Sequence, residues 1–371
     1  MVFESDKNCG RPSYENADTP SIQGHDPHRG RLSGRCDRAL LLLLVPAAAE
    51  LLPKNHSGQT STASVSPETA EFNDRLEALL NQYPLLTDMS PATARKLRVE
   101  GKSAFGPIVH SDLAVEVSIP GALGPMKARL FAVNDPVALY LHIHGGGWVL
   151  GAVDQQDPRL EALSQTSQVT VVSIDYRLAP ESRFPAGLDD CEAAAIWLLE
   201  HGKSEFGSNR LLIGGESAGA NLSVGTLLRM RDRHGFKGWL GANLVYGLYD
   251  ARLTNSARTW GSRLLVLNTS IIEWFLQHYT GGVALDDPFL SPLLADLEGM
   301  PPALFTVGTE DPLIDDTLAM HERWLAAGSS AELAIYPGGA HGFDAFPIEI
   351  GRQALARMYR FIDGCLVRHA S

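Results

Sequence analysis

Apolar positions along the chain recur with two different periods, and the switches between them divide it into elements. Behind Ser66-Pro67-Glu68, residues Phe72, Leu76, Leu79 and Leu80 fall at helical spacing, and the serine, proline and acid have N-cap, first-turn and dipole-matched character. Ser90-Pro91 opens a second helix in the same way, running to about Glu100. Strand patterns follow at Leu113–Ile119 and Lys127–Val133, with Gly121 and Gly124-Pro125 supplying the turn between them. Ala138–Ile143 and Val169–Ile174 are continuous apolar runs of the kind that strands buried on both faces show. Thereafter the pattern reads helix Leu188–Leu199, strand Leu211–Ile213, helix Ala220–Arg231, strands Ala242–Tyr246 and Ala303–Val307, helix Thr317–Ala327, strand Ala331–Tyr336 and helix Arg352–Val367. This alternation predicts an α/β fold: a mostly parallel central sheet, helices on both faces, and ligands at the carboxyl ends of the strands.

Three segments depart from that rhythm. The two leading helices, residues 66–105, suit a helical cap placed ahead of a main domain at 106–371, with ordinary core packing of their apolar faces as the alternative. Between Asp250 and Pro301 a helix near Ile271–Tyr279 and the turn-rich Asp286-Asp287-Pro288 interrupt the alternation, which predicts a cap-like insertion over about 250–301. Residues 1–65, rich in Ser, Pro, Gly, Asn and Asp and without sustained periodicity, read as a disordered extension. Within it, Arg35, Arg38 and the run Ala39–Ala49 resemble the basic, apolar and cleavage regions of a secretory signal, but lie beyond the first ~15–30 residues where such signals belong. The run is also shorter than the ~20 apolar residues that span a bilayer.

Composition narrows the function classes. With 371 residues, 44% of them hydrophobic, the chain can bury a large core in one main domain. A formal net charge of -12 speaks against a nucleic-acid surface or a polybasic membrane contact. Cys9, Cys36, Cys191 and Cys365 are scattered without C-x-x-C or metal-ligand spacing, so free thiols in a reducing, cytoplasmic compartment are expected and no structural metal.

The chemistry centres on Gly215-Glu216-Ser217-Ala218-Gly219, a G-x-S-x-G between a strand pattern and a helix pattern. A sharp strand-to-helix turn would expose the Ser217 hydroxyl and aim the Ala218 amide at an oxygen gaining charge beside it. His144-Gly145-Gly146-Gly147-Trp148 follows the central apolar strand, and its glycines let backbone amides approach a ligand. No Gly-Lys-Ser/Thr or G-x-G-x-x-G accompanies it, so an oxyanion hole fits better than a phosphate cradle. A serine needs a histidine base oriented by a carboxylate, in this fold in the order Ser, Asp or Glu, His, each on a loop after a strand. Of twelve histidines, His341 alone lies on a glycine-lined loop after the last strand. For the acid, the Asp-Pro turn favours Asp311 over its neighbour Glu310, and spacing alone leaves both open.

Taken together, His144–Trp148, Asp175–Glu181, Gly215–Gly219, Asp311–Leu313 and His341–Phe343 resemble the hormone-sensitive-lipase family of bacterial carboxylesterases within the α/β-hydrolases, over roughly Ser66 to the C terminus. The resemblance implies a triad of Ser217, Asp311 and His341, an oxyanion hole from the amides of Gly146, Gly147 and Ala218, and an N-terminal helical cap. Glu216 stands where the family more often has Asp, and Gly247 where a Tyr-Pro pair is common; both touch on the shape of the acyl pocket. Glu216 and Trp148, the latter following the glycine turn and with ordinary core packing as its alternative, are candidate pocket residues. Tyr176–Glu181, with charged Arg177 and Glu181, reads as a buttress beneath the site. The expectation is a serine carboxylesterase acting on short-chain esters through an acyl-enzyme, with no cofactor or metal, a small-molecule ester as its partner, no nucleic acid or membrane span, and a homodimer left open. Amide or lactone cleavage or acyl transfer by the same triad is the alternative, and a non-catalytic receptor on the same scaffold a more distant one.

Overall fold

Ser66 caps the first helix as its sequence predicts: the side chain accepts from the Thr69 amide at 3.2 Å, and Pro67 follows at the first helical position. Such a cap contributes about 1 kcal/mol. In the computed structural model of the protein, which describes residues 64–368, this helix, α1, spans Pro67–Leu80 and α2, capped by Ser90, spans Pro91–Val99. Residues 1–63 of the expected extension, with the signal-like segment around 35–49, lie outside the described residues.

Then come β1 (Val115–Gly121), β2 (Gly124–Phe131), β3 (Ala138–Ile143), α3 (Asp157–Ser167), β4 (Val169–Ile174), α4 (Ala186–Phe206), β5 (Leu211–Glu216), α5 (Ala218–His234) and β6 (Trp239–Val245). A short α6 (Asn255–Thr259), α7 (Thr269–Thr280), β7 (Ala303–Glu310), α8 (Ile314–Ala326), β8 (Ala331–Ala340) and α9 (Glu349–Arg368) complete the described fold. One eight-stranded sheet runs in the order β1-β2-β4-β3-β5-β6-β7-β8, antiparallel only where β2 meets β1 and β4.

The continuous apolar strands are continuous because both faces are covered. Leu139, Leu141 and Ile143 of β3 pack with Leu188 of α4 and Leu222 of α5, while the alternate Ala138 and Tyr140 pack with Leu160 and Leu163 of α3 and Phe361 and Ile362 of α9. Each fully buried leucine or isoleucine contributes roughly 1.5–3 kcal/mol. The sequence pattern does not predict α3. Leu160 and Leu163 are the large apolar residues in DPRLEALSQTS, too few to draw a stripe, and the helix is fixed instead by packing against β4 and α9. No helix among the described residues is long and apolar enough to cross a membrane.

Candidate active site

Strand register places the candidate residues side by side. Ile143 of β3 lies opposite Gly215 of β5, Glu216 opposite Val245 of β6, and Glu310 of β7 opposite Ala340 of β8. These parallel neighbours therefore release His144–Trp148, Ser217, Tyr246, Asp311 and His341 at one edge of the sheet, their carboxyl ends.

Ser217 turns the chain from β5 into α5 with φ 57° and ψ -120°, a conformation that costs a non-glycine residue of order 1–3 kcal/mol. It is held there by its amide, which donates to the Val245 carbonyl at 2.8 Å. The flanking glycines are needed for contact: a β-carbon at either Gly215 or Gly219 would overlap the Ile143 carbonyl oxygen.

His341 bridges the serine and an acid. Its Nε2 lies 3.0 Å from Ser217 Oγ and its Nδ1 2.9 Å from Asp311 Oδ2. An ionised carboxylate only accepts, so Nδ1 carries the ring proton and Nε2 is left to accept from the hydroxyl. Asp311 is fully buried, and its second oxygen accepts from the Leu313 amide at 2.9 Å. Glu310, still within β7, instead pairs with Arg263. The structure thus brings Asp311, and not Glu310, to the histidine.

Behind the imidazole lies a group that sequence reasoning missed. The Tyr246 ring sits 4.6 Å from the His341 ring, its hydroxyl donates to Asp344 Oδ1 at 2.6 Å, and Arg159 Nη2 reaches Asp344 Oδ2 at 2.8 Å. Burial and the adjacent Asp344 carboxylate hold the Tyr246 hydroxyl protonated, well above its usual range. The available signal was Asp344 following His341-Gly342-Phe343; its partner Arg159 lies on the unpredicted α3.

The glycine loop is pinned by its carbonyls and by Glu216. Gly146 O accepts from the Leu150 and Val149 amides at 2.8 and 3.2 Å, Trp148 O from Ala179 at 2.9 Å, and His144 O from the Tyr176 hydroxyl at 2.8 Å. Glu216 Oε1 accepts from the Gly145 amide and from Gln156 Nε2, both at 2.8 Å, and Oε2 lies 3.1 Å from His142 Nε2. Burial raises the Glu216 pKa, but His142, Arg159 and the Gly145 amide outweigh it and bring it to about 2. Glu216 borders the cleft, yet its carboxylate is engaged in bracing the loop. Among the described residues, the amides of Gly146, Gly147 and Ala218 have no protein acceptor. Gly147 has φ 61°, and a β-carbon there would run into the ring of Phe275 on α7. Trp148 stacks parallel on Tyr279 at 4.5 Å and walls the same cleft.

The Tyr176–Glu181 segment is tied in by its charges as well as by its tyrosine. Tyr176 supports the loop, Arg177 pairs with Asp190 at 2.7 Å and Glu181 with Arg95 at 2.9 Å, each charge finding a partner on a helix that the sequence alone does not bring near.

Over these residues lies a cavity of about 700 Å³, lined from the sheet side by Ser217, His341 and the glycine loop. Leu86, Met89 and Leu97 close it from the N-terminal segment, and Leu264, Ile271 and Phe275 from residues 250–301. Its walls are mostly apolar, as small-molecule sites are. Among the described residues no group of His, Cys, Asp and Glu could hold a metal ion.

A parallel-dominated sheet carrying a strained serine, a histidine and a buried acid at its carboxyl edge defines an α/β-hydrolase. The family pattern described as alpha/beta hydrolase fold matches residues 140–345. The chain is 37% identical over 263 residues to the carboxylic ester hydrolase LipN of Mycobacterium tuberculosis, covering 68% of this chain and 69% of that one. Its fold is similar to a hyperthermophilic esterase from the archaeon Pyrobaculum calidifontis, with TM-score 0.72 and 30% identity over 81% of this chain and 99% of that one. It is also similar to a hormone-sensitive lipase from a metagenome library, with TM-score 0.70 and 25% identity over 80% and 98%. The chain belongs to the α/β-hydrolases, in the hormone-sensitive-lipase-like family of carboxylesterases.

Proposed function

We propose that this protein hydrolyses short-chain carboxylic esters, with Ser217 as nucleophile, His341 as base and then acid, and Asp311 as orienting acid. The observation that carries the reading is the continuous line Ser217 Oγ, His341, Asp311 at 3.0 and 2.9 Å, beside three backbone amides without an acceptor among the described residues. Ser217 Oγ attacks the ester carbonyl carbon while His341 Nε2 takes its proton. The resulting oxyanion receives the Gly146, Gly147 and Ala218 amides, which strengthen as charge develops. Collapse breaks the bond to the alcohol oxygen, which leaves with the proton from His341, and the acyl group stays on Ser217. Water, deprotonated by the same Nε2, then releases the carboxylate and restores the serine.

Residues 66–105 act as a cap over the cleft, and part of 250–301 as its second wall. The short-chain preference rests on the family resemblance, and Phe275, packed against Gly147, narrows the cleft beside the glycine loop. Two buried free thiols, Cys191 and Cys365, support a cytoplasmic setting.

A series of p-nitrophenyl esters from acetate to decanoate tests this reading. kcat/KM should fall as the acyl chain lengthens beyond about four to six carbons, as expected of a pocket that discriminates by chain length. A rise with length contradicts the short-chain assignment, and no turnover of any ester contradicts the function.

A further inference from the structure

Arg95 lies on α2, the helix that walls the cleft. Among the described residues, apart from the Arg98 bond to the Gly106 carbonyl where the cap segment ends, every hydrogen bond between α2 and the α/β scaffold passes through its guanidinium. Nε donates to the Val149 carbonyl at 2.7 Å and Nη2 to the Ala179 carbonyl at 2.5 Å. Nη1 and Nη2 also reach the two oxygens of Glu181 at 3.0 and 2.9 Å. Glu181 is half-exposed, so that ion pair is screened and contributes little. The two carbonyls belong to fully buried residues, and buried carbonyls require donors.

Those carbonyls sit on the structure that sets the glycine loop. Val149 donates its own amide back to Gly146 O, and Ala179 donates to Trp148 O, so both residues clasp the turn containing Gly146 and Gly147 from one side. Arg95 takes hold of the outer face of both clasps and ties them to the cap.

We propose that Arg95 is a positioning residue for ester hydrolysis, coupling α2 to the oxyanion loop so that the Gly146 and Gly147 amides hold their aim while the cap is seated. The inference rests on the oxyanion role proposed for those amides. Arginine is required because one planar fork serves two carbonyls and a carboxylate in fixed directions, whereas a lysine ammonium presents its donors from a single point.

The test compares parent, Arg95→Lys and Arg95→Ala in kcat, KM, melting temperature and inhibition by a short alkyl trifluoromethyl ketone, which forms a tetrahedral adduct on a serine. Misaimed donors cost transition-state stabilisation, so kcat should fall about tenfold or more in both variants with KM within about threefold. Ketone affinity should fall in proportion to kcat/KM, and added guanidinium ion should restore part of the kcat of Arg95→Ala. If Arg95→Ala does not fold, Arg95→Lys decides by the same kcat and ketone readings. A ketone-sensitive parent whose folded variants keep parental kcat, or lose only KM, overturns this inference alone. A parent that the ketone does not inhibit overturns the oxyanion reading and this inference with it.

Discussion

Asp311 Oδ2 lies 2.9 Å from His341 Nδ1, at the point where β7 and β8 leave the sheet side by side. One residue earlier, Glu310 is still in register with Ala340 and points to Arg263. A single step along a strand reverses the side on which a side chain emerges, and that step separates the proposed orienting acid from a surface ion pair.

Asp311→Asn should therefore lower kcat by as much as about ten-thousandfold, through loss of the tautomer that leaves Nε2 unprotonated. Glu310→Gln should stay within about twofold of the parent, as expected for an exposed pair. Steady-state kinetics on p-nitrophenyl acetate rank the two, and the reverse ranking would move the acid to Glu310.

Gly146→Ala probes the proposed oxyanion loop. The residue has φ 110°, and a β-carbon there would overlap the Leu150 carbonyl oxygen, so the loop must shift. Loss of one aligned donor costs about 2.7–4 kcal/mol, which is a hundred- to a thousandfold in kcat. KM should change far less, because the amide matters most once the oxyanion forms. A raised KM with kcat intact would make the loop a binding wall.

Asp344→Asn and Tyr246→Phe separate stability from chemistry. Arg159 is mostly buried and Asp344 is its carboxylate partner. Removing that charge should cost about 3–5 kcal/mol in urea unfolding. Tyr246→Phe leaves the ring against His341 and removes one donor to Asp344, so its cost should be about 1–3 kcal/mol, with kcat nearer the parent than in Asp344→Asn. Equal effects of the two variants on unfolding would show that Arg159 does not depend on Asp344.

Asp316 predicts a pH dependence. Its fully buried carboxyl accepts from the Tyr249 and Asp250 amides at 2.6 and 2.9 Å and from the Thr254 hydroxyl at 2.5 Å. Burial raises its pKa to about 7, the three donors opposing and Asp250 adding to the rise. A pKa raised above the unfolded value of ~3.9 means that the native state keeps a proton which the unfolded chain releases. The stabilisation is complete below pH ~4 and disappears as the pH rises through ~7. The parent should lose stability relative to Asp316→Asn between those limits, measured by urea unfolding at several pH values. Parallel pH profiles would contradict it.

Much of this was legible in the chain. β3 and β4 read as buried strands because helices cover both of their faces, and the G-x-S-x-G elbow is legible because only glycine fits against the Ile143 carbonyl. What was not legible are pairings between residues far apart in sequence. Arg159 with Asp344 and Arg95 with Val149 and Ala179 depend on where helices with little apolar signal come to rest. Arg177 and Glu181, close in sequence, take partners on two different helices, α4 and α2. Glu216 stands out by its place in the motif, but its bracing of Gly145 is visible only once β3 and β5 lie together.

The most direct test of the central claim is intact-protein and peptide mass spectrometry after treatment with a fluorophosphonate, which labels only an activated serine. The account predicts a single adduct on the peptide containing Ser217, loss of esterase activity in step with labelling, and neither adduct nor activity in a folded Ser217→Ala variant. An adduct on another serine, or full activity in Ser217→Ala, would contradict it.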